Sequence, residues 1–272
     1  MLTYESLREQ AKYREMPPTK IRGILREYLQ ILILKELYRL DMGRKLYFTG
    51  GTYLRLAHNL KRFSEDLDFN TTLLTKSEFE RLLEKVEVEL KRIGMVLKVS
   101  FSHWGSMYVA RLIFPEIEKG YNVISKYSKK EGIVIKVEAN KLKKSINTET
   151  QVITGFGEFY PCICTDKAVL FADKIDALNK KNRGRHLYDV MFMLSNRFPI
   201  DRDFLKHALG IKKDPLDAIS ERVESFTRAE LKKQAEILRP FLFDEAEANM
   251  IEKASNIIPS LLEKYKIGRK RE

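Results

Sequence analysis

Asp66 and Asp68 are the residues of this 272-residue chain whose types and spacing most directly suggest chemistry. On an extended strand, residues two apart share a face, so the two carboxylates project together while Leu67 and Phe69 point to the other side. Neighbouring carboxylates repel unless a cation lies between them, and Mg²⁺ takes such hard oxygen ligands together with substrate phosphates. The stretch that leads to them, Tyr47–Phe69, reads YFTGGTYLRLAHNLKRFSEDLDF. Within it Gly50, Gly51 and Thr52 stand where a strand gives way to a helix. Two glycines there let backbone N–H groups approach an anion, and the helix N-terminus adds its partial positive charge. A triphosphate could lie at that turn. Taken singly, Gly-Gly is an ordinary turn and Asp-x-Asp a solvated face. Taken together, with a helix between them and apolar residues facing inward, they agree on one geometry, a metal–nucleotide site.

The elements that must position these residues can be read from periodicity. Pro17-Pro18 precedes a helix in which Ile21, Ile24, Leu25, Tyr28 and Leu32 recur at helical spacing, and its later half is apolar nearly all round, as in a buried helix. A strand is expected over Lys45–Thr49, a helix over Tyr53–Leu60 and a second strand over Asp66–Asn70. Thr75 and Glu78 form a capping box for a helix carrying Phe79, Leu82, Leu83, Val86 and Leu90, stopped by Gly94. Strands are expected over Val96–Phe101, Met107–Phe114 and Ile133–Ala139. Beyond Thr165 helix starts multiply, at Asp214, Thr227 and Asp244. The change of periodicity near residue 160 divides the chain into a mixed α/β domain over residues 1–160 and a helical domain over 161–272, an α+β protein overall.

Composition narrows the class. With 50 Lys and Arg against 38 Asp and Glu, the chain carries a formal charge of +12. Its hydrophobic fraction, 44%, is that of a chain that buries a core, which excludes disordered and collagen-like classes. The excess charge suits either a solubilised surface or a polyanionic partner such as RNA or a nucleoside triphosphate. Cys162 and Cys164 cannot build a disulfide framework or a four-cysteine zinc site, although Cys164 could be reactive, and a reducing cytoplasm fits. The opening MLTYESLREQAKYREMPP has no apolar core of signal-peptide length, and the apolar stretch around Leu29–Leu34 is far shorter than the roughly 18 residues of a membrane span. His58, His103, His186 and His207 show no metal-ligand spacing. The basic runs KYSKKEG and KKNRGR, beginning at Lys126 and Lys180, read as solvated charge, but the second could also steer a phosphate backbone.

The string GGTYLRLAHNLKRFSEDLDF resembles the signature of the AbiEii/AbiGii toxin family, which includes the MenT-type toxins, within the DNA polymerase β-like nucleotidyltransferase superfamily. In that pattern Gly-Gly/Ser-Thr and a helix are followed by Arg-Phe-Ser-x-Asp-Leu/Ile-Asp. A second family motif, a helical lysine followed by Arg-Asp-Leu-Tyr-Asp-Leu, resembles ADKIDALNKKNRGRHLYDV, which matches Lys174 to the lysine and Asp189 to the last carboxylate. His186 stands where the family usually has the first Asp. The resemblance spans roughly residues 45 to 195.

The resemblance implies a polymerase β-like nucleotidyltransferase core, a mixed sheet with flanking helices, plus a C-terminal helical lobe that completes the active cleft. Asp66 and Asp68 would bind Mg²⁺, or Mn²⁺ in its place, and Gly50, Gly51 and Thr52 would hold the β- and γ-phosphates of an NTP. An acceptor oxygen would attack the α-phosphorus, with pyrophosphate leaving. The superfamily usually has a third carboxylate on a neighbouring strand, and Glu138 is the candidate, because in GIVIKVEAN it shares a face with Val134 and Lys136 opposite Ile133, Ile135 and Val137. Arg62 and Ser64 would contact triphosphate or orient the acid pair; otherwise they are a surface arginine and a turn serine. Lys174 either snorkels or reaches the cleft, and Asp189, set among Leu187, Val190, Met191 and Leu194, is either solvated or paired, with Lys174 the preferred partner. Family membership implies a toxin of a type IV toxin–antitoxin or phage-defence pair with a separately encoded antitoxin. With the basic charge, RNA, at the 3′ end of tRNA, is the leading acceptor, and Lys180, Lys181, Arg183 and Arg185 are its candidate contacts. The alternatives are transfer to a protein or small-molecule hydroxyl and a catalytically idle nucleotide- or RNA-binding regulator. No membrane partner is expected.

Overall fold

The computed structural model describes residues 1–123 and 131–269, so Lys126–Lys130 of the first basic run lie outside the described residues. The chain forms two compact units, one from residues 1–59 and 63–165, the other from residues 60–62 and 166–272.

The first unit runs α1 (Tyr4–Tyr13), α2 (Ile21–Arg39), β1 (Tyr47–Thr49), α3 (Gly50–His58), β2 (Leu67–Thr71), α4 (Lys76–Arg92), β3 (Lys98–Trp104), β4 (Met107–Phe114), α5 (Ile117–Gly120), β5 (Ile133–Lys141), β6 (Thr148–Gly155) and β7 (Glu158–Thr165). The strands make one mixed sheet in the order β3-β4-β5-β2-β1-β7-β6. β2 runs parallel to β5 and β1 parallel to β7, and the other pairs are antiparallel. β5 alternates between buried Ile133, Ile135, Val137 and Ala139 and half-buried Val134, Lys136, Glu138 and Asn140, the two-residue period of a strand with one apolar face. Helices α2 and α4 pack on each other and on the strands, α2 on β5 and β7, α4 on β3 and β4. Glu27, Leu29, Gln30 and Leu34 of α2 are all buried, so that helix is enclosed on nearly every side, as its composition predicts.

Several boundaries move from their expected places, each for a local reason. β1 begins at Tyr47 because Asp41–Lys45 winds into a 3₁₀ turn. The second strand begins at Leu67, leaving Asp66 as the residue that enters it. α4 starts on the expected capping box and ends before Gly94, which takes φ +86°. Strand β6 carries no apolar period, since it pairs on one side only and exposes every second residue, so nothing in its composition announces it.

The second unit is helical among its described residues: α6 (Lys167–Lys180), α7 (Gly184–Ser195), α8 (Arg202–His207), α9 (Pro215–Glu224), α10 (Arg228–Leu238), α11 (Ala248–Glu252) and α12 (Ala254–Arg269). Asp166, Asp201 and Asp214 cap α6, α8 and α9 through their side chains, and Thr227 with Glu230 forms a capping box on α10. Asp244 starts a single 3₁₀ turn that leads into α11. The short segment 60–62 joins this unit: Arg62 bridges Leu242, and the Phe243 N–H donates to the Lys61 carbonyl at 3.0 Å. Among the described residues no helix is long and apolar enough to cross a membrane.

Candidate active site

The polar face of the first unit's sheet is built by strand register. Thr49 on β1 faces Asp68 on β2, and Asp68 faces Glu138 on β5, so three side chains of adjacent strands form one row. The β2–β5 register sets Leu67 against Val137, which brings Lys136 level with Asp66 one residue earlier. Lys136 in turn faces Arg111 on β4.

The turn and the acid pair meet at Gly50. Its φ is +82°, and a Cβ built there would lie 2.3 Å from Asp68 Oδ2. Any side chain would therefore collide with the carboxylate, so glycine is required both by backbone conformation and by space. Thr49 leaves α3 without a side-chain cap, so the first N–H groups of the helix have no hydroxyl upon them. The Thr52 hydroxyl is fully buried and donates to the Asp66 carbonyl at 2.5 Å, which ties the first turn of α3 to the entrance of β2. Behind the turn, Arg55 of α3 is buried in a fork with Glu27 of α2, its Nε 2.9 Å from Oε2, and Arg14 holds the other Glu27 oxygen at 2.8 Å. A buried ion pair of this kind fixes one arrangement of two helices.

Glu138 holds Lys136 at 3.0 Å. Burial disfavours the Lys136 ammonium, but its bond to Glu138 and the charges of Asp66 and Asp68 outweigh this and raise its pKa. Among the described residues no three His, Cys, Asp or Glu side chains come together as a ready-made metal cage. The half-buried acid pair against a bare glycine backbone instead suits a hard divalent cation that completes its shell with substrate phosphates.

In the second unit, Asp189 of α7 is completely buried and receives both Lys174 of α6, Nζ to Oδ2 at 2.7 Å, and Arg62, Nε to Oδ1 and Nη2 to Oδ2 at 2.8 Å each. Burial by itself would raise the Asp189 carboxyl, and the charges and hydrogen bonds of Arg62 and Lys174 overcome it and hold the group at about 2. Of the alternatives for Asp189, pairing is the one observed, with Arg62 as an additional partner. His186 lies one turn before Asp189, nearly buried, with neither ring nitrogen hydrogen-bonded among the described residues. Burial, and then the positive charge of Lys174, depress it to about 3. The imidazole is therefore neutral. Lys180, Lys181 and Arg183 are exposed and Arg185 half exposed, with Lys180 bound to Asp176 at 2.7 Å. Ser64 is half exposed, and its carbonyl accepts from Gln30 at 3.0 Å. Cys162 and Cys164 are buried and burial pushes both thiols up, so neither is a reactive nucleophile.

A family model described as the nucleotidyl transferase AbiEii toxin of type IV toxin–antitoxin systems matches residues 32–252. The chain belongs to the AbiEii family. As an AbiEii protein it is a toxin nucleotidyltransferase, for which an NTP is substrate and an antitoxin the partner. Solved structures share its fold. A candidate nucleotidyltransferase of Helicobacter pylori superimposes with a TM-score of 0.59 at 18% identity, over 91% of this chain and 96% of that one. MenT4, a nucleotidyltransferase toxin of Mycobacterium tuberculosis, does so with a TM-score of 0.57 at 18% identity, over 97% and 93%. A search of curated proteins gives no match.

Two features of this AbiEii protein escape sequence reading, one in each unit. Thr49 Oγ1 is buried beside Asp68 in register and has no hydrogen-bond partner among the described residues. The other is the Arg62–Asp189 fork, since 127 residues separate its partners and no local pattern links them.

Proposed function

We propose that this AbiEii protein transfers a nucleoside monophosphate from a Mg²⁺-bound NTP to an RNA acceptor, at the 3′ end of tRNA, as the toxin of a cytoplasmic toxin–antitoxin or phage-defence pair. The observation that carries the reading is the approach of Gly50 to Asp68, which joins a phosphate-binding turn to a carboxylate pair at one corner. Asp66 and Asp68 would hold the metal, and Glu138, in register beside Asp68, would add a third carboxylate. When bound, Mg²⁺ would stabilise charge on the attacking and leaving oxygens. The backbone N–H groups of Gly50, Gly51 and Thr52 receive the β- and γ-phosphates, with Ser64 as a further contact. The acceptor oxygen forms its bond to the α-phosphorus, the bond to the bridging oxygen breaks with its electron pair going to pyrophosphate, and the hydroxyl proton passes to water. Lys174, held by Asp189, is the lysine that the second family motif points to as a helper of the transfer step. Its charge counts most as negative charge shifts to pyrophosphate.

The test is incubation of purified protein and total tRNA with each α-labelled NTP and Mg²⁺. Label should enter RNA, and Asp68→Asn should lower the rate on the order of 10³-fold while the far-UV spectrum and melting curve stay close to wild type. A correctly folded Asp68→Asn protein with full activity would overturn the metal assignment. Label entering protein, with RNA unmodified, would favour a protein hydroxyl as acceptor.

A further inference from the structure

The proposed reaction needs a seat for the acceptor, and the first unit contains a pocket with the chemistry for one. A cavity of about 290 Å³ opens beside Asp66, walled by Arg22 and Arg26 of α2, Arg111 of β4 and Lys136 of β5. That volume is at the lower end of small-ligand sites, room for about one nucleotide unit. We propose that this pocket binds the phosphate group next to the 3′-terminal ribose of a nucleic-acid acceptor. The inference rests on the nucleotidyl-transfer reading and deepens it.

Three observations support it. The first is position. The pocket is lined by Asp66 and Lys136, so a group seated in it lies beside one member of the acid pair. In phosphoryl transfer the attacking and leaving oxygens stand roughly in line across the phosphorus, so an acceptor must enter from the side opposite the pyrophosphate. In this proposal the pocket provides that side. The second is charge. Four cations and the carboxylates of Glu65, Asp66 and Glu131 line the cavity, and two of the arginines keep donors beyond their ion pairs: Arg26 gives Nη1 to Glu65 at 2.9 Å and Arg111 gives Nη2 to Glu131 at 3.2 Å. Arginine has five donors in a planar fork, a shape matched to phosphate oxygens. The third is an unmet donor: Arg26 Nε is buried without a hydrogen-bond partner among the described residues, although buried polar atoms normally have one. A small turn of the guanidinium would bring this N–H to a phosphate oxygen in the cavity.

The experiment compares wild type, Arg26→Gln/Arg111→Gln and Arg111→Glu. Arg111 is half exposed, so its charge reversal gives a folded protein even if the double variant melts early. Deacylated tRNA binding is titrated against salt without NTP, and Mg²⁺–NTP binding is titrated separately. We expect the slope of log K against log salt to fall by about 0.7 for each phosphate that is no longer neutralised. The KM for tRNA should rise about tenfold, at 1.4 kcal/mol per factor of ten, while NTP affinity stays within about twofold. Equal slopes and equal KM values across the variants would overturn the proposal. So would NTP affinity falling with tRNA binding intact, since the pocket would then seat the nucleotide, or a flat salt dependence in wild type. Absence of NMP transfer by wild type would refute the reaction instead, because the salt titration reads the pocket without turnover.

Discussion

Asp189 keeps its charge in a fully buried position because Arg62 and Lys174 both bind it, and the consequence is a defined acid sensitivity. Its folded pKa, about 2, lies below the ordinary 3.8, so the folded state releases this proton more readily than the unfolded chain. The stabilisation is complete above about pH 4 and is lost as pH falls through 2, a contribution of about 2 kcal/mol. His186 works over a higher window. Folded, it takes a proton only near 3, whereas the unfolded chain does so near 6.5, so stability declines as pH falls between those values. Urea denaturation from pH 7 to pH 3 should thus show a loss for wild type that His186→Gln reduces. Asp189→Asn should cost about 3–5 kcal/mol at neutral pH, because two buried cations lose their counter-charge. A His186→Gln protein with the wild-type pH profile would refute the neutral buried imidazole.

At the scale of elements, the corner between β1 and α3 carries the tightest constraint. Gly50→Ala places a methyl group on the Asp68 carboxylate and forces a non-glycine residue to φ +82°, so backbone strain alone costs about 1–3 kcal/mol. Calorimetric titration should find Mg²⁺–NTP affinity sharply reduced, and unchanged affinity in a folded Gly50→Ala protein would remove this turn from the nucleotide site. Helix α4 provides a contrast. Thr75→Ala removes the hydroxyl that accepts from the Glu78 N–H, which should cost about 1 kcal/mol and lower the melting temperature with transfer activity retained. The capping box was legible as Thr-x-x-Glu because both partners lie within one turn. The Glu27–Arg55 clamp between α2 and α3 was not, because 28 residues separate its partners and no local pattern links them.

For the whole molecule, the charge of +12 sets the expected response to salt. Neutralising Lys180, Lys181, Arg183 and Arg185 together should weaken tRNA binding and flatten its salt dependence, by about 0.7 for every RNA phosphate left without its cation, with NTP binding nearly unchanged. Identical slopes in wild type and the quadruple alanine variant would exclude that cluster from the acceptor surface.

The order of residues alone determined the α+β class, the placing of Gly50, Gly51, Asp66 and Asp68 on a strand–helix–strand unit, and the family, because these depend on spacings of a few residues and on the two- and 3.6-residue periods of burial. Strand β6 stayed hidden because a sheet-edge strand needs no buried face. Only the tertiary structure decided that Arg62 forks Asp189, that Glu138 faces Asp68, and that Arg22 and Arg26 share a cavity with Arg111 and Lys136. Such pairings join residues tens of positions apart, where sheet order and helix packing, rather than local backbone preference, set the distance between side chains.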